Sequence, residues 1–154
     1  PYRSIIHQFK YNRQISLGRY FGSMLGKRLK ESDPFKDIDV IIPVPLHPFK
    51  KWKRGYNQAN VIAKAIGKEL EIPVLNGILV RTTFTSTQTT KDPLHRWKNV
   101  EKAFKLRRGD RIKGCHILLV DDVLTTGATL EACGTALLKA EGCTVSVATL
   151  AFVE

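Results

Sequence analysis

The densest chemistry in the chain lies in Ile117-Leu118-Leu119-Val120-Asp121-Asp122-Val123-Leu124-Thr125-Thr126-Gly127-Ala128-Thr129. Four apolar residues lead into two adjacent carboxylates, a hydroxyl-rich turn and the start of a helix. Such a turn aims successive backbone N–H groups at an anion, and the positive end of the following helix adds to the attraction. Gly127 permits a positive φ or close backbone approach. Thr125, Thr126 and Thr129 offer hydroxyl donors to phosphate oxygens, while Asp121 and Asp122 accept hydrogen bonds from a vicinal diol such as that of ribose. Phosphate donors beside diol acceptors describe a ribose 5-phosphate site over Asp121, Asp122, Val123, Thr125, Thr126, Gly127, Ala128 and Thr129.

Competing readings of this segment fit less well. A receiver domain also places an acidic pair after a strand, but near its N-terminus and without the T-G-x-T turn. A Walker A loop requires G-x-x-x-x-G-K-[ST], and a dinucleotide fold requires G-x-G-x-x-G; neither occurs. The purely structural reading is a helix cap beside exposed carboxylates at a strand end.

A site of this kind needs a sheet to carry it, and the chain supplies one. Cys115 to Val120 is a nearly continuous apolar run, the mark of a strand buried on both faces. Asp39 to Pro45 is a second short run, closed by prolines. Asn57 to Leu70 carries Ala59, Ile62, Ala63, Ile66 and Leu70 at helical spacing and stops before Pro73. Ile15 to Leu29 predicts an N-terminal helix, and Leu130 to Leu138 another that ends near Gly142. Pro73 to Leu75, Ile78 to Val80 and Ala103 to Leu106 are further strand material, and Cys143 to Phe152 is the last strand. The alternation predicts an α/β, doubly wound, mostly parallel sheet in a single domain over 1–154, with a helical segment at 1–36 and the binding core at 37–154. Ligands of such sheets sit at the carboxyl ends of the strands, here the loops after Val44 and Val120. Arg81 to Lys98 has no sustained apolar period and is the longest candidate loop.

Lys and Arg outnumber Asp and Glu by 25 to 14, a formal charge of +11. That balance favours anionic partners without naming them: phosphate-bearing metabolites, nucleic acid or an acidic surface. Lys50, Lys51, Lys53 and Arg54 concentrate it, with Trp52 and Tyr56 interleaved. The run suits pyrophosphate or single-stranded nucleic acid, or is simply a solvated loop face. No membrane span and no signal-peptide core is visible, and the expected location is cytoplasmic. Cys115, Cys133 and Cys143 form no C-x-x-C pair, so neither zinc nor a disulfide is expected, and Cys115 and Cys133 read as small buried hydrophobes.

Position by position, Ile117 to Thr129 resembles the 5-phosphoribosyl-1-pyrophosphate (PRPP) signature of type I phosphoribosyltransferases. Pro43-Val44-Pro45-Leu46-His47, Arg54-Gly55-Tyr56-Asn57-Gln58-Ala59, Gln88, Arg96, Asn99 and Ala103-Phe104 resemble the competence protein F (ComF) branch. Ile6 to Tyr11 is similar to the segment that precedes the domain there. The resemblance implies a type I phosphoribosyltransferase fold and a Mg²⁺-dependent transfer of phosphoribose to a nitrogen acceptor with release of pyrophosphate. It makes Asp121 and Asp122 the catalytic pair and Val44, Pro45, Leu46 and His47 the pyrophosphate loop, with Arg54 as a phosphate contact. It also makes Arg81 to Lys98 a closing flap, with Lys91, His95 and Arg96 as its candidate cations. No direct protein ligand for Mg²⁺ is expected; PRPP and water would hold it.

Partners implied by the resemblance are PRPP, an unidentified nitrogen acceptor and a second copy of the chain in a homodimer. Non-catalytic PRPP binding, or single-stranded DNA binding in DNA uptake, stays open as the alternative. Family members commonly carry an N-terminal four-cysteine zinc module, and these 154 residues contain none. Thr125 stands where relatives acting on 6-oxopurines often have a proton-accepting Asp, which argues against hypoxanthine or guanine as acceptor.

Overall fold

The computed structural model describes residues 15–82 and 103–153. Nine elements of regular structure other than 3-10 turns carry the argument among the described residues. These are α1 (Ile15–Lys30), β1 (Val40–Pro43), α2 (Pro48–Arg54), α3 (Gln58–Leu70), β2 (Leu79–Arg81), β3 (Phe104–Leu106), β4 (His116–Leu124) and α4 (Ala128–Leu137), closed by β5 (Thr144–Phe152).

The main sheet runs β1-β4-β5, all parallel. Outside β1, Val74 adds a parallel bridge to Ile41. Alternate side chains of the buried strands serve two cores, as a period of two requires. Val40, Ile42, Ile117 and Leu119 pack with α4 and the β2–β3 hairpin. Ile41, Leu118, Val120 and Ala148 pack with α1 and α3. Helices therefore cover both faces, which confirms the doubly wound α/β class. No helix among the described residues is long and apolar enough to cross a membrane.

The order of connections fixes where a ligand can enter. From β1 the chain passes through α3 to Val74, on the far side of β1; from β4 it passes through α4 to β5, on the far side of β4. The winding reverses between β1 and β4, and that switch point is where doubly wound sheets hold ligands.

α1 and α3 approach closely because α1 presents glycines to α3. A Cβ on Gly22 would stand 2.8 Å from the Cβ of Ala65, and one on Gly26 2.9 Å from that of Glu69. The same pairs show that the two helices run in the same direction. The start of α1 therefore lies by the start of α3, at the carboxyl edge of β1.

Three sequence expectations change. The acidic pair does not end its strand: β4 continues to Leu124, paired with β5 as far as Phe152. The basic run is not a loop but the helix α2, begun by Pro48 and closed by Gly55 at φ 82°. Cys115 is half-buried rather than enclosed, while Cys133 is fully buried and Cys143 half-buried; all three are free.

Candidate functional site

The crevice arises because β4 outruns β1. Their pairing ends at Pro43↔Val120, sealed by the bond from the Val44 N–H to the Val120 carbonyl at 2.8 Å. Beyond it, among the described residues, β4 pairs only with β5, from Asp121↔Thr149 onwards. Asp121 to Leu124 thus expose their β1-side edge just where the chain after Val44 turns away through Pro45 and Leu46.

Strand alternation sends the two carboxylates toward different neighbours. Asp121 follows the parity of Leu119, toward the hairpin and α4; Asp122 follows Val120, toward α3. Charge coupling agrees with this division. Burial foremost pushes the Cys133 thiol far up, and the Asp121 charge adds to the rise. Burial pulls the Arg81 guanidinium down against the opposing fields of Cys133 and Asp121. On the other side burial raises the Tyr56 phenol, with Arg54 pulling it back and Asp122 adding to the increase. One Asp121 oxygen also accepts the Asp122 N–H at 2.8 Å.

The turn after β4 matches its expected form. Gly127 caps α4 in the left-handed region at φ 80°, and no side chain caps the helix there. Thr126 Oγ1 accepts the Ala128 N–H at a long 3.4 Å. A small concavity of about 30 Å³ at the start of α4 brings together Asp121, Val123, Thr125, Gly127 and Thr129. Asp122, Thr126 and Ala128 do not line it.

The loop after β1 has its own architecture. His47 caps α2, its Nδ1 accepting the Phe49 N–H at 3.2 Å. Asn57 caps α3 through Oδ1, which accepts the Ala59 N–H at 3.1 Å, and its Nδ2 donates to the Val44 carbonyl at 3.0 Å. Arg54 donates to the Gln58 Oε1 at 3.2 Å, so its guanidinium is partly committed to the fully buried Gln58. Pro45 and Leu46 line a cavity of about 350 Å³ with Lys51, Tyr56, Asn57 and Asn76. Val44 is buried beneath this loop, and neither His47 nor Arg54 lines the cavity. Lys91, His95 and Arg96 lie outside the described residues, as do Gln88 and Asn99.

Two residues at the crevice, Asn57 and Arg81, had no role of their own in the sequence reading, and a third, Tyr56, had a different one. Asn57 was visible only as part of a matched string, although Asn before an apolar-periodic run is an N-cap signal. Tyr56 read only as an aromatic among lysines. Arg81, set over the Phe104 ring at 5.3 Å, read only as the start of a loop; no local pattern brings it beside Asp121.

Comparison with known proteins agrees with this geometry. Residues 53–154 match the phosphoribosyl transferase domain, and the chain belongs to that family. Among characterised sequences it falls in the competence protein F branch. It is 36% identical over 135 residues to competence protein F of Haemophilus influenzae, covering 85% of this chain and 59% of that protein. It is 29% identical over 150 residues to the DNA utilization protein YhgH of Shigella flexneri, covering 96% and 65%. The chain thus spans about three-fifths of the length of these relatives. Among solved structures, the glutamine PRPP amidotransferase of Bacillus subtilis superposes with a TM-score of 0.59 at 20% identity. That match covers 88% of this chain and 26% of the amidotransferase, a likeness of fold.

Proposed function

We propose that this chain binds PRPP together with Mg²⁺ at the β1–β4 crevice and transfers phosphoribose to a nitrogen acceptor. The supporting observation is the switch-point crevice, where β4 outruns β1 and leads the acidic pair into the uncapped N-terminus of α4. The amides of Gly127 to Thr129 and the hydroxyls of Thr125, Thr126 and Thr129 hold the 5-phosphate. Asp121 and Asp122 hold the ribose hydroxyls from the two sides of the sheet. In the Val44 to His47 loop the backbone N–H groups of Leu46 and His47 receive the diphosphate, with Arg54 nearby, and Lys91, His95 and Arg96 are further candidate cations for it.

In the reaction the acceptor nitrogen donates its lone pair to C1 as the C1–oxygen bond breaks. That bond's electron pair leaves with pyrophosphate, and the nitrogen's proton passes to solvent. Positive charge builds on the ribose near Asp121 and Asp122, while the 5-phosphate anchor orients the reacting centre. Two carboxylates beside a phosphate-bearing ligand suit Mg²⁺, which keeps several waters and takes its other oxygens from phosphates. When bound, it neutralises charge on the leaving diphosphate.

The test is calorimetric titration of PRPP with Mg²⁺ into wild type and into Asp121→Asn/Asp122→Asn. Saturable binding that the double variant loses supports the site, and pyrophosphate release across a panel of bases and amines then tests turnover. Absence of wild-type binding by folded protein overturns the reading.

A second reading is favoured by α2. Phe49 and Trp52 are 53% and 81% exposed on a helix whose other side chains include Lys50, Lys51, Lys53 and Arg54. Exposed rings among cations form a stacking surface for single-stranded DNA, which fits relatives named for competence and DNA utilization. Binding whose affinity falls steeply with salt and is weakened by Trp52→Ala is its test.

A further inference from the structure

Beyond the crevice, a groove of about 610 Å³ runs between α1 and α3. Its walls are two ladders at one-turn spacing. On α3 and the residues before it stand Tyr56, Asn60, Lys64 and Lys68; on α1 stand Arg19 and Ser23. Residues four apart share a helix face, so Asn60, Lys64 and Lys68 set an amide and two ammonium groups in one line on α3, with Tyr56 lining the same groove ahead of the helix and Arg19 lining it from α1. From Asn60 to Lys68 the line is roughly 12 Å long, at about 1.5 Å of rise per residue.

Two observations separate this face from an ordinary solvated flank. Arg19, Lys64 and Lys68 form no ion pair among the described residues. The groove's carboxylate, Glu69, is instead engaged by the Ser23 hydroxyl at 2.5 Å. In addition, the Asn60 Oδ1 is buried and accepts no hydrogen bond among the described residues. Burying an acceptor without a donor costs about 1–3 kcal/mol, and Asn60 lines both this groove and the 350 Å³ cavity at the carboxyl edge of β1.

We propose that the α1–α3 groove binds a nucleoside monophosphate. Its base packs at Tyr56 and turns an N–H toward Asn60, and its phosphate lies among Lys64, Lys68 and Arg19. The groove volume falls within the range of roughly 300–1,000 Å³ usual for small-molecule sites. An apolar floor of Val61 and Ala65 suits a sugar and base edge, and the cations suit a phosphate. This inference is separate from the PRPP reading in its phosphate cations, Arg19, Lys64 and Lys68, while Tyr56 and Asn60 line both the groove and the cavity at Pro45 and Leu46.

The experiment titrates the full chain with adenosine 5′-monophosphate, uridine 5′-monophosphate and the corresponding unphosphorylated nucleosides. The variants are Lys64→Gln/Lys68→Gln and Asn60→Ala, with Asp121→Asn/Asp122→Asn as a control. At least one monophosphate is expected to bind tenfold or more tightly than its nucleoside. Lys64→Gln/Lys68→Gln should abolish that difference and the accompanying salt dependence. Asn60→Ala should weaken binding while keeping the salt dependence, and the Asp121→Asn/Asp122→Asn chain should bind as wild type does. Equal affinity for monophosphate and nucleoside, or no binding of either monophosphate, overturns the proposal. So does binding that survives Lys64→Gln/Lys68→Gln but is lost in Asp121→Asn/Asp122→Asn, which would put the nucleotide in the crevice. A 5′-phosphorylated trinucleotide is the final arm: if it needs Lys64 and Lys68 while the monophosphates fail to bind, the groove belongs to a nucleic-acid strand instead.

Discussion

Asn57 donates from Nδ2 to the carbonyl of Val44 at 3.0 Å while its Oδ1 accepts the N–H of Ala59. One side chain therefore starts α3 and fixes the backbone that leads out of β1, so helix stability and loop position are coupled through one amide. Asn57→Asp separates the two tasks, because a carboxylate still caps the helix but has no hydrogen to offer Val44. Its expected stability is within about 1 kcal/mol of wild type, whereas Asn57→Ala loses about 1–2 kcal/mol with the cap. Both variants should weaken PRPP binding. If Asn57→Asp binds PRPP as wild type does, the Val44 bond has no part in shaping the loop. Thermal unfolding and calorimetry read the two effects independently.

Alkaline pH should destabilise the protein through Cys133. Burial and the Asp121 charge raise its folded-state pKa above the ordinary thiol value of 9.0. The folded chain then holds a proton that the unfolded chain gives up. This contribution to stability is complete below about pH 9 and is lost as pH climbs from there toward the folded value. The limiting slope is about 1.4 kcal/mol per pH unit for one proton. Chemical denaturation of wild type and Cys133→Ala at pH 8, 9 and 10 should show the variant less stable throughout but with a shallower decline. Asp121→Asn removes the added charge and should lower the thiol pKa, which ultraviolet titration of the thiolate detects.

The long apolar runs were legible in the sequence because burial on both faces leaves no other pattern for β1 and β4, and α3 declared itself by its period and its Asn57 cap. What escaped has physical reasons. Pro48 to Arg54 carries no apolar period, and a seven-residue helix capped by His47 and Gly55 looks like a charged loop. The three-residue strands of the β2–β3 hairpin are too short for alternation to register. Asp121 and Asp122 look like the end of a strand because carboxylates seldom occupy a sheet interior; pairing with β5 lets β4 run on past β1. The proximity of Arg81 and Tyr56 to the acidic pair is a product of the fold, with residues tens of positions apart.

The α1–α3 contact predicts an ordered pair of substitutions. A methyl at Gly22 would meet the Ala65 Cβ at 2.8 Å and the Ile62 carbonyl oxygen at 3.0 Å, neither of which can move without the backbone. At Gly26 the Glu69 Cβ at 2.9 Å and the Ile66 Cα at 3.2 Å are equally fixed, but the remaining contact, the Glu69 Cγ at 3.1 Å, can rotate aside. Gly22→Ala should therefore cost about 1–3 kcal/mol as an overpacked contact, and Gly26→Ala less. Equal losses in urea unfolding would show that the helices slide apart as a unit.

Two glycines of the β4–α4 region should respond in opposite directions. Gly134 sits inside α4 with no atom of the described residues within 4 Å of a built Cβ, so Gly134→Ala gains helix propensity without a clash against them and should add about 0.5–1 kcal/mol. Gly127 has room as well, its nearest neighbour being Leu124 Cδ1 at 3.7 Å, but its φ is +80°. Gly127→Ala thus incurs only the conformational penalty of an L side chain in the left-handed region, about 1–2 kcal/mol. The chain can relieve that strain by rotating the turn, which would re-aim the first amides of α4 beside the concavity shared by Asp121 and Thr125. The expected signature is a modest fall in melting temperature with a larger fall in PRPP affinity, while Gly134→Ala raises the former and leaves the latter alone. If Gly127→Ala lowers stability yet binds PRPP normally, the phosphate does not depend on the amides of this turn.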